Sequence, residues 1–288
     1  MKINTLFLSL ALALSVLACD DDVETGAPVA GMTAPVAGMT TPVAGMTAPV
    51  AGMTTPIEPP LPMIPMVPSV DCSGSSAESP CVVSIQQARS AGLVPAETII
   101  QIEGVVSATR LNEEGATSHL VIQAEDGGAL SGIWTYVNDA RVELAMIPTE
   151  GQRVRVTAQT ADYFGQRQLQ KIEALEVLGS AVVPLPVTLA PEQLATMSEF
   201  GPYFEGVLVA VEGVDVLELN PPAGPGDSDP TNEFVVTGGL RVDDYLTQHS
   251  APLPLPMVGD RFTRIVGVLR LANNDLKIEP RYAADLSR

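Results

Sequence analysis

A strand-like segment that occurs twice, about a hundred residues apart, is the feature that most constrains this fold. Residues 99–109 read IIQIEGVVSAT and residues 207–216 read VLVAVEGVDV, so both contain Glu-Gly-Val. Apolar residues recur at the alternating spacing of a β-strand, and glycine lies where a strongly bent strand needs a residue without Cβ. The repeat predicts two small β-barrels of similar plan, each beginning with one long strand.

Further strand patterns complete both barrels. In the first repeat they occupy residues 98–109, 118–125, 131–137, 152–160 and 166–178. In the second they occupy residues 203–219, 233–237, 240–242, 258–271 and 276–280, with Asn273-Asn274-Asp275 as a hairpin turn. A short helical pattern precedes each barrel, with Ser84 as the N-cap of the first and Pro191 near the start of the second. Five strands with a longer insertion between the third and fourth are the plan of an OB barrel, so we predict an all-β protein with tandem OB-like modules at residues 72–180 and 181–288.

The N-terminus has the pattern of a secretory signal peptide. Lys2 supplies the positive end, residues 6–17 form a short apolar run, and Ala18 precedes Cys19. The sequence Val-Leu-Ala-Cys resembles the bacterial lipobox, in which the cysteine is acylated and becomes the mature N-terminus. We predict a signal peptide at residues 1–18 and a lipid anchor on Cys19, with cleavage near Ala18 and no lipidation as the alternative. The apolar run is too short to span a bilayer, so we expect an exported protein held by acyl chains to a bacterial membrane, the outer membrane on its periplasmic or cell-surface side.

Residues 19–71 are predicted to form a low-complexity tether. Within it, residues 27–54 are four copies of the heptad (Ala/Thr)-Pro-Val-Ala-Gly-Met-Thr, whose proline excludes a coiled coil. Fully extended, the tether reaches roughly 160 Å. Methionine thioethers are soft-metal ligands in type, but six intervening residues in a flexible chain leave no preorganised site, so we interpret the repeat as a spacer.

Cys72 and Cys81 remain as a pair after Cys19 is lipidated. The residues between them include serine, glycine and proline, which turn easily, so closure is sterically reasonable. Two cysteines without a nearby histidine or a second cysteine pair cannot complete a tetrahedral metal site. We therefore predict a disulfide that closes the entry to the first barrel.

The strand sequences of both barrels resemble a known group of modules. The stretches concerned are LVIQ at 120–123, GIWTY at 132–136, GQRVRVT at 151–157, YFG at 163–165, YFEGVLV at 203–209 and LRVDD at 240–244. They look like the OB-fold modules attached to secreted bacterial endonuclease/exonuclease/phosphatase-type DNases, over about residues 82–285. The resemblance implies the OB fold. The catalytic domain that follows such modules has no counterpart in this sequence, so we expect no nuclease activity.

Alternation along the second and third strands assigns their faces. Leu120, Ile122 and Ile133 point into the first barrel, and the side chains between them point outward. The outer surface of these strands is where OB folds usually hold oligonucleotides or oligosaccharides. The candidate ligand-binding residues there are Trp134 and Tyr136 as stacking platforms, Arg153 and Arg155 as nearby charge, and His119 and Gln123.

A second interpretation of this surface is favoured, because large aromatic side chains often serve domain contacts. In it, the second module or the N-terminal segment covers Trp134 and Tyr136. His119 is then a strand residue rather than a ligand or a base.

Charge argues against nucleic acid as the partner. Residues 82–180 hold 7 basic and 12 acidic side chains, and residues 181–288 hold 7 and 15, giving net charges of −5 and −8. Nucleic-acid affinity depends mostly on neutralising phosphates, so such modules need a local basic stripe. The available residues are Arg153, Arg155, Arg167, Lys171, Arg261, Arg264, Arg270, Lys277 and Arg281. The sequence supports equally well that these basic residues pair with neighbouring carboxylates instead of forming a stripe.

Asp227, Asp229, Asn232 and Glu233 supply oxygen atoms of the kind that Ca²⁺ prefers. Their spacing does not match an EF-hand loop and Pro230 interrupts it, so a solvated acidic loop is the favoured interpretation. We predict no cofactor.

Catalytic motifs are missing from the sequence: it has no Gly-x-Ser-x-Gly elbow, no phosphate-binding glycine loop and no His-Glu-x-x-His. Our first hypothesis is therefore a non-enzymatic lipoprotein of the cell envelope whose OB modules contact a protein or glycan. The second is an accessory single-stranded DNA-binding protein that serves a separate secreted nuclease. The third is a cryptic metal-dependent hydrolase.

Overall fold

The two repeated segments form the long first strands of two closed β-barrels. The structure is a computed structural model and describes residues 60–90, 92–141 and 146–288. The predicted signal peptide, Cys19 and the heptad repeats lie outside the described residues. Within the part of the chain that is described, no helix is long and apolar enough to cross a membrane.

The first barrel has five main strands preceded by a short strand and a helix. Its elements are β1 (Cys81–Val82), α1 (Ile85–Arg89), β2 (Ile99–Leu111), β3 (Thr117–Gln123), β4 (Gly132–Tyr136), β5 (Gln152–Tyr163) and β6 (Gln166–Ser180). Antiparallel pairs join β2 to β3, β3 to β4 and β6 to β5, and β5 closes back onto β2. The remaining seam is the parallel pair β4–β6, where Trp134 lies opposite Gln168.

The second barrel repeats this connectivity. Its elements are β7 (Val187–Thr188), α2 (Pro191–Leu194), α3 (Gly201–Phe204), β8 (Leu208–Leu219), β9 (Phe234–Val236), β10 (Leu240–Val242), β11 (Arg261–Ala272), β12 (Asp275–Glu279) and β13 (Leu286–Ser287). The closed order β8-β9-β10-β12-β11 has one parallel seam, β10–β12, where Arg241 lies opposite Lys277. Strand order and seam are those of the OB fold in both barrels, so the predicted fold class is confirmed.

Matching glutamines cap the two short helices. The Gln87 backbone N–H donates to Ser84 Oγ at 3.1 Å, and the Ser84 N–H donates to Gln87 Oε1 at 2.9 Å, which is a capping box. In α2 the N-cap is Ala190, whose side chain cannot accept a hydrogen bond, but its N–H still donates to Gln193 Oε1 at 3.0 Å. Each glutamine therefore uses its amide oxygen locally and points its NH₂ group away from the helix.

The predicted strand at 203–219 is wrong at its start. Residues Gly201–Phe204 form α3, and the strand begins at Leu208. Pro202 lies in the first turn of α3, where a backbone N–H has no partner within the helix, so the N–H that proline lacks is not needed. Gly206, with φ of 78°, then turns the chain between the helix and the strand. This turn places Phe204 in the core of the second barrel.

The core of the first barrel contains Leu120, Ile122 and Ile133, as strand alternation predicts. The predicted Cys72–Cys81 disulfide is also present, with Cα atoms 5.2 Å apart, and both cysteines pack against this core. The disulfide thus fixes the chain segment that leads into β1.

The two barrels belong to one compact unit and touch through their backbones. A Cβ added to Gly132, at the start of β4, would lie 1.9 Å from the carbonyl oxygen of Gly206, just before β8. Two residues before Gly132, the Leu130 N–H donates to the Tyr203 carbonyl at 2.6 Å. Glycine at both positions allows a backbone approach that no other residue would permit.

The substitution Gly132→Ala is expected to lower the free energy of unfolding by about 3 kcal/mol, because backbone atoms must move apart. Gly128→Ala is the matched control: its Cβ would meet no atom within 4 Å, and its left-handed backbone costs only about 1 kcal/mol. Urea unfolding of the two variants measures the difference. Equal losses would contradict the close barrel contact.

Candidate functional site

The outer face of β3 and β4 is covered by the second barrel. Val121 and Trp134 point out of the first barrel and pack with Leu208, Leu246 and Val268. Trp134 is 1% exposed, and its indole N–H donates to the Leu269 carbonyl at 3.5 Å. The face on which an OB barrel usually holds a ligand is therefore a domain contact here, and Trp134 is not accessible for stacking.

Tyr245 completes the aromatic side of this contact. Its ring lies between two guanidinium groups, with Arg270 Cζ 3.4 Å and Arg110 Cζ 4.0 Å from the ring centroid. Arg110 also donates through Nε to the Tyr245 carbonyl at 3.1 Å. Cation–π contacts of this kind contribute about 0.5–2 kcal/mol each. The residue lies just after the third strand of the second repeat, with no motif to mark it, so sequence reasoning missed it.

His119 is partly buried beside these rings. Its ring centroid lies 5.0 Å from that of Tyr136 and 6.0 Å from that of Tyr245, and Nδ1 lies 3.1 Å from Ser118 Oγ. Burial lowers the pKa of His119 to about 3, with the positive charges of Arg270 and Arg110 acting in the same direction. The imidazole is therefore neutral at physiological pH.

Gln123 bridges the barrels instead of facing a ligand. Its side chain is fully buried, Oε1 accepts from the Leu208 N–H at 3.1 Å, and Nε2 donates to Ser131 Oγ at 3.2 Å. Leu208 is the first residue of β8, so Gln123 satisfies the backbone where the second barrel begins.

Ion pairs border the contact on two sides. Arg89 and Glu205 form a buried pair at 2.9 Å, and burial raises the pKa of Glu205. Arg89 also donates to the Pro202 carbonyl at 3.2 Å, which connects α1 to α3. Elsewhere, Arg281 pairs with Glu150 at 2.7 Å. Each pair joins a residue of the first module to one of the second, and no sequence spacing identifies the partners.

The basic residues proposed beside the binding face are paired with acids. Arg155 Nη2 lies 2.6 Å from Glu103 Oε1, and Arg153 Nη2 lies 3.0 Å from Glu103 Oε2. The second barrel repeats the arrangement, with Arg264 2.6 Å from Glu212. In both barrels the glutamate belongs to Glu-Gly-Val and lies opposite its arginine in the neighbouring strand. These arginines form cross-strand ion pairs rather than a basic stripe.

The corresponding face of the second barrel carries an ion-pair network. Arg241 occupies the seam position that Trp134 has in the first barrel, and it lies 3.1 Å from both Glu233 and Asp275. Lys277, opposite Arg241, is 1% exposed and pairs with Glu233. Its side-chain nitrogen is also 3.6 Å from Asp227 and from Asp243.

This network accounts for two of the calcium candidates. The Lys277 ammonium group lies among Asp227, Glu233 and Asp243, where it supplies the positive charge that a cation would bring. Asn232 donates its N–H to Asn220 Oδ1, and Asp229 precedes the cis-proline Pro230. Over residues 60–90, 92–141 and 146–288, no three His, Cys, Asp or Glu side chains converge as a metal site.

Glu279 lies further along β12 and is fully buried. Neither of its carboxylate oxygens has a hydrogen-bond partner, and the nearest cation is Arg270 Nη1 at 3.7 Å. Burial, with the negative charge of Asp243, raises the pKa of Glu279 well above its usual range. The side chain is therefore favoured in its neutral form and belongs to the barrel wall.

Open surface lies instead beside the two short helices. A groove of about 1500 Å³ runs along β7 and α2 of the second barrel. Its walls include Leu189, Pro191, Met197, Phe200 and Val214. A smaller groove of about 380 Å³ occupies the matching place beside β1 and α1 of the first barrel, lined in part by Val83, Gln87 and Glu103.

The end of the predicted tether forms part of the larger groove and meets Gln87, which lines the smaller one. We call residues 60–70 the strap. Gln193 Nε2 donates to the Pro60 carbonyl at 3.0 Å, and Gln87 Nε2 donates to the Pro68 carbonyl at 3.2 Å. Ile64 packs against the core of the second barrel and Val70 against that of the first. Sequence analysis placed this segment in the tether; its contacts with the barrels depend on tertiary structure.

No protein-family model matches this chain, and no curated protein matches it. Among solved structures, the hypothetical protein YgiW from E. coli is similar over 35% of this chain and 92% of its own, with 12% identity and a TM-score of 0.27. An OB domain from Methanosarcina mazei is similar over 37% of this chain and 92% of its own, with 16% identity and a TM-score of 0.27. The strand connectivity of the chain itself defines its class, a tandem OB-fold protein.

The neutral state of His119 predicts acid sensitivity. A depressed folded pKa means that stability is intact above the unfolded value near 6.5 and falls by about 1.4 kcal/mol per pH unit as the pH drops toward 3. Between pH 7.5 and pH 4.5, the free energy of unfolding of the wild type is expected to fall by about 2–3 kcal/mol more than that of His119→Gln. Urea unfolding at both pH values measures this, and parallel losses in the two proteins would refute it.

Proposed function

We propose that this chain is an exported, lipid-anchored and non-enzymatic binding protein of the bacterial envelope. Its two OB barrels act together and contact a protein or glycan partner, and Cys19 holds them to the membrane through the tether. The observation that carries the proposal is the burial of Trp134 between the barrels. It removes the surface that an OB fold usually offers to an oligonucleotide or oligosaccharide, so the partner, a protein or a glycan, must contact another surface.

Charge supports a partner other than nucleic acid. The whole chain has a formal net charge of −19, and Arg153 and Arg155, which the sequence placed beside the first binding face, are paired with Glu103. In the second barrel, Arg241 and Lys277 are likewise neutralised by carboxylates. Phosphate binding would require breaking these pairs.

The chemistry of the described residues supports a binding role. His119, a candidate base by residue type, is neutral and packed among aromatic rings. Three carboxylates with raised pKa values, Glu205, Glu233 and Glu279, are buried and line neither groove. A general acid or base must reach its substrate, so these groups suit packing rather than catalysis.

Single-stranded DNA should bind weakly or not at all. Fluorescence anisotropy of a labelled oligonucleotide, titrated with the full-length protein in detergent, is expected to give a Kd weaker than about 100 μM at physiological salt, in the non-specific range. The variant carrying Arg153→Ala and Arg155→Ala is the control. Micromolar binding that weakens with salt and is lost in that variant would overturn the proposal in favour of DNA capture.

Cys19 should carry the anchor. Metabolic labelling with a palmitate analogue is expected to mark the wild type and not Cys19→Ser, and the variant should leave the membrane fraction because several acyl chains are needed for stable attachment. Cys72→Ser leaves Cys19 intact and should still be labelled. Membrane retention of unlabelled Cys19→Ser would refute the lipid anchor.

A further inference from the structure

The strap is held by a site that the chain builds twice. In each barrel, the glutamine at the third position of the short helix donates from Nε2 to a proline carbonyl, through Gln87 to Pro68 and Gln193 to Pro60. In each barrel, a groove at the same place is lined in part by the Glu-Gly-Val strand. The same contact at both sites indicates a recognition feature of the repeat rather than a chance contact of one loop.

The local chemistry explains why glutamine serves here. Its amide oxygen accepts from the N-cap N–H, at 2.9 Å in α1 and 3.0 Å in α2, which fixes the side chain. The amide NH₂ is then directed at a passing chain. A carbonyl is the one backbone hydrogen-bonding group that proline retains, and in polyproline II no internal hydrogen bond uses it. A fixed donor beside an apolar groove is therefore suited to an extended, proline-rich peptide.

The lining of the larger groove restricts the ligand further. Its charged residues are Glu192, Glu199 and Glu212, with no lysine or arginine among them. Met197, which the second barrel supplies to the groove, is 95% exposed, and Leu61 and Met63 of the strap itself are 68% and 92% exposed. The groove therefore favours an apolar segment without acidic residues and disfavours nucleic acid or an acidic peptide.

The strap fills this site only in part. Pro60, Leu61, Pro62 and Met63 form one wall of the groove, and about 1500 Å³ beside them remains open. Met66 is 97% exposed, so several of the strap's apolar side chains contact solvent rather than protein. An equivalent segment of another polypeptide would find the same two donors and a larger apolar surface.

We propose that the paired grooves are a docking site for an extended, uncharged, proline-rich segment of a partner polypeptide, and that the strap is the ligand in cis which this segment replaces. The inference rests on the proposed protein-contact function and names the chemistry of the partner. The cis strap competes at an effective concentration of about 1 mM, which sets the affinity that a partner must exceed.

The probe for this site is a fluorescein-labelled peptide, PPLPMIPMVPS, which reproduces residues 59–69. Its anisotropy is measured against the full-length protein in detergent. Ile64→Asp in the protein should dislodge the cis strap, because it places a carboxylate against the core of the second barrel, and should strengthen peptide binding at least tenfold over the wild type.

Gln87→Glu together with Gln193→Glu, introduced into the Ile64→Asp protein, should weaken binding at least tenfold. Each substitution keeps the oxygen that caps the helix, removes the NH₂ donor and adds one negative charge. Gln86→Glu is the control for an added charge on α1: its side chain faces Asp126 rather than the strap, and binding should stay within twofold. Absence of saturable binding to Ile64→Asp, or unchanged binding in the double glutamate variant, would overturn the proposal.

A second measurement covers the case in which Ile64→Asp disturbs folding. Unlabelled peptide is added to the wild type while the methyl resonances of Ile64, which packs against the core of the second barrel, are followed by NMR. Displacement of the strap should move them to the positions of a solvent-exposed isoleucine, and unchanged resonances at saturating peptide would overturn the proposal. DNA capture would overturn the proposed function and with it the basis of this inference, whereas failure of the peptide experiments without DNA binding would overturn this inference alone.

Discussion

The packing of Trp134 against the second barrel is the contact on which the arrangement of the two modules depends. Burying an indole removes about 200 Å² of mostly apolar surface from water, which stabilises the fold by about 5 kcal/mol as an upper bound. The contact is possible because Gly132 and Gly206 let two backbones meet where any Cβ would clash. Tyr245, Arg270 and the buried amide of Gln123 then close the edges. Together they turn a ligand-binding face into an internal surface.

Duplication preserved some contacts and changed others. Both barrels keep the cross-strand pair of glutamate and arginine, and both keep the glutamine that caps the short helix and holds the strap. The seam position facing outward has diverged, with Trp134 in the first barrel and Arg241 in the second. One barrel uses this position for apolar packing and the other for ion pairs. Neither barrel leaves this seam position open to a ligand, so the open surfaces are the two grooves.

Buried charge at the contact between the barrels fixes geometry more than it adds stability. Removing Arg89 and Glu205 from water costs several kcal/mol, which their attraction repays only at the right separation. The guanidinium of Arg89 also holds the Pro202 carbonyl, so the pair orients α1 against α3. A misaligned second barrel would leave Glu205 buried without its cation. The pair therefore selects one docking of the barrels over near alternatives.

The sequence by itself determined the elements that depend on neighbours in the chain. Period-two alternation located the strands of both barrels and placed Leu120 and Ile122 in the core, and the Cys72–Cys81 spacing predicted the disulfide. It failed at α3, because residues 203–207, which include Gly206, were interpreted as the start of the long strand. Tertiary structure alone decided that Trp134 is covered, that Arg155 meets Glu103 and that Lys277 lies among the calcium candidates. Each of these contacts joins residues far apart in sequence, and local spacing carries no information about which distant surface a side chain will meet.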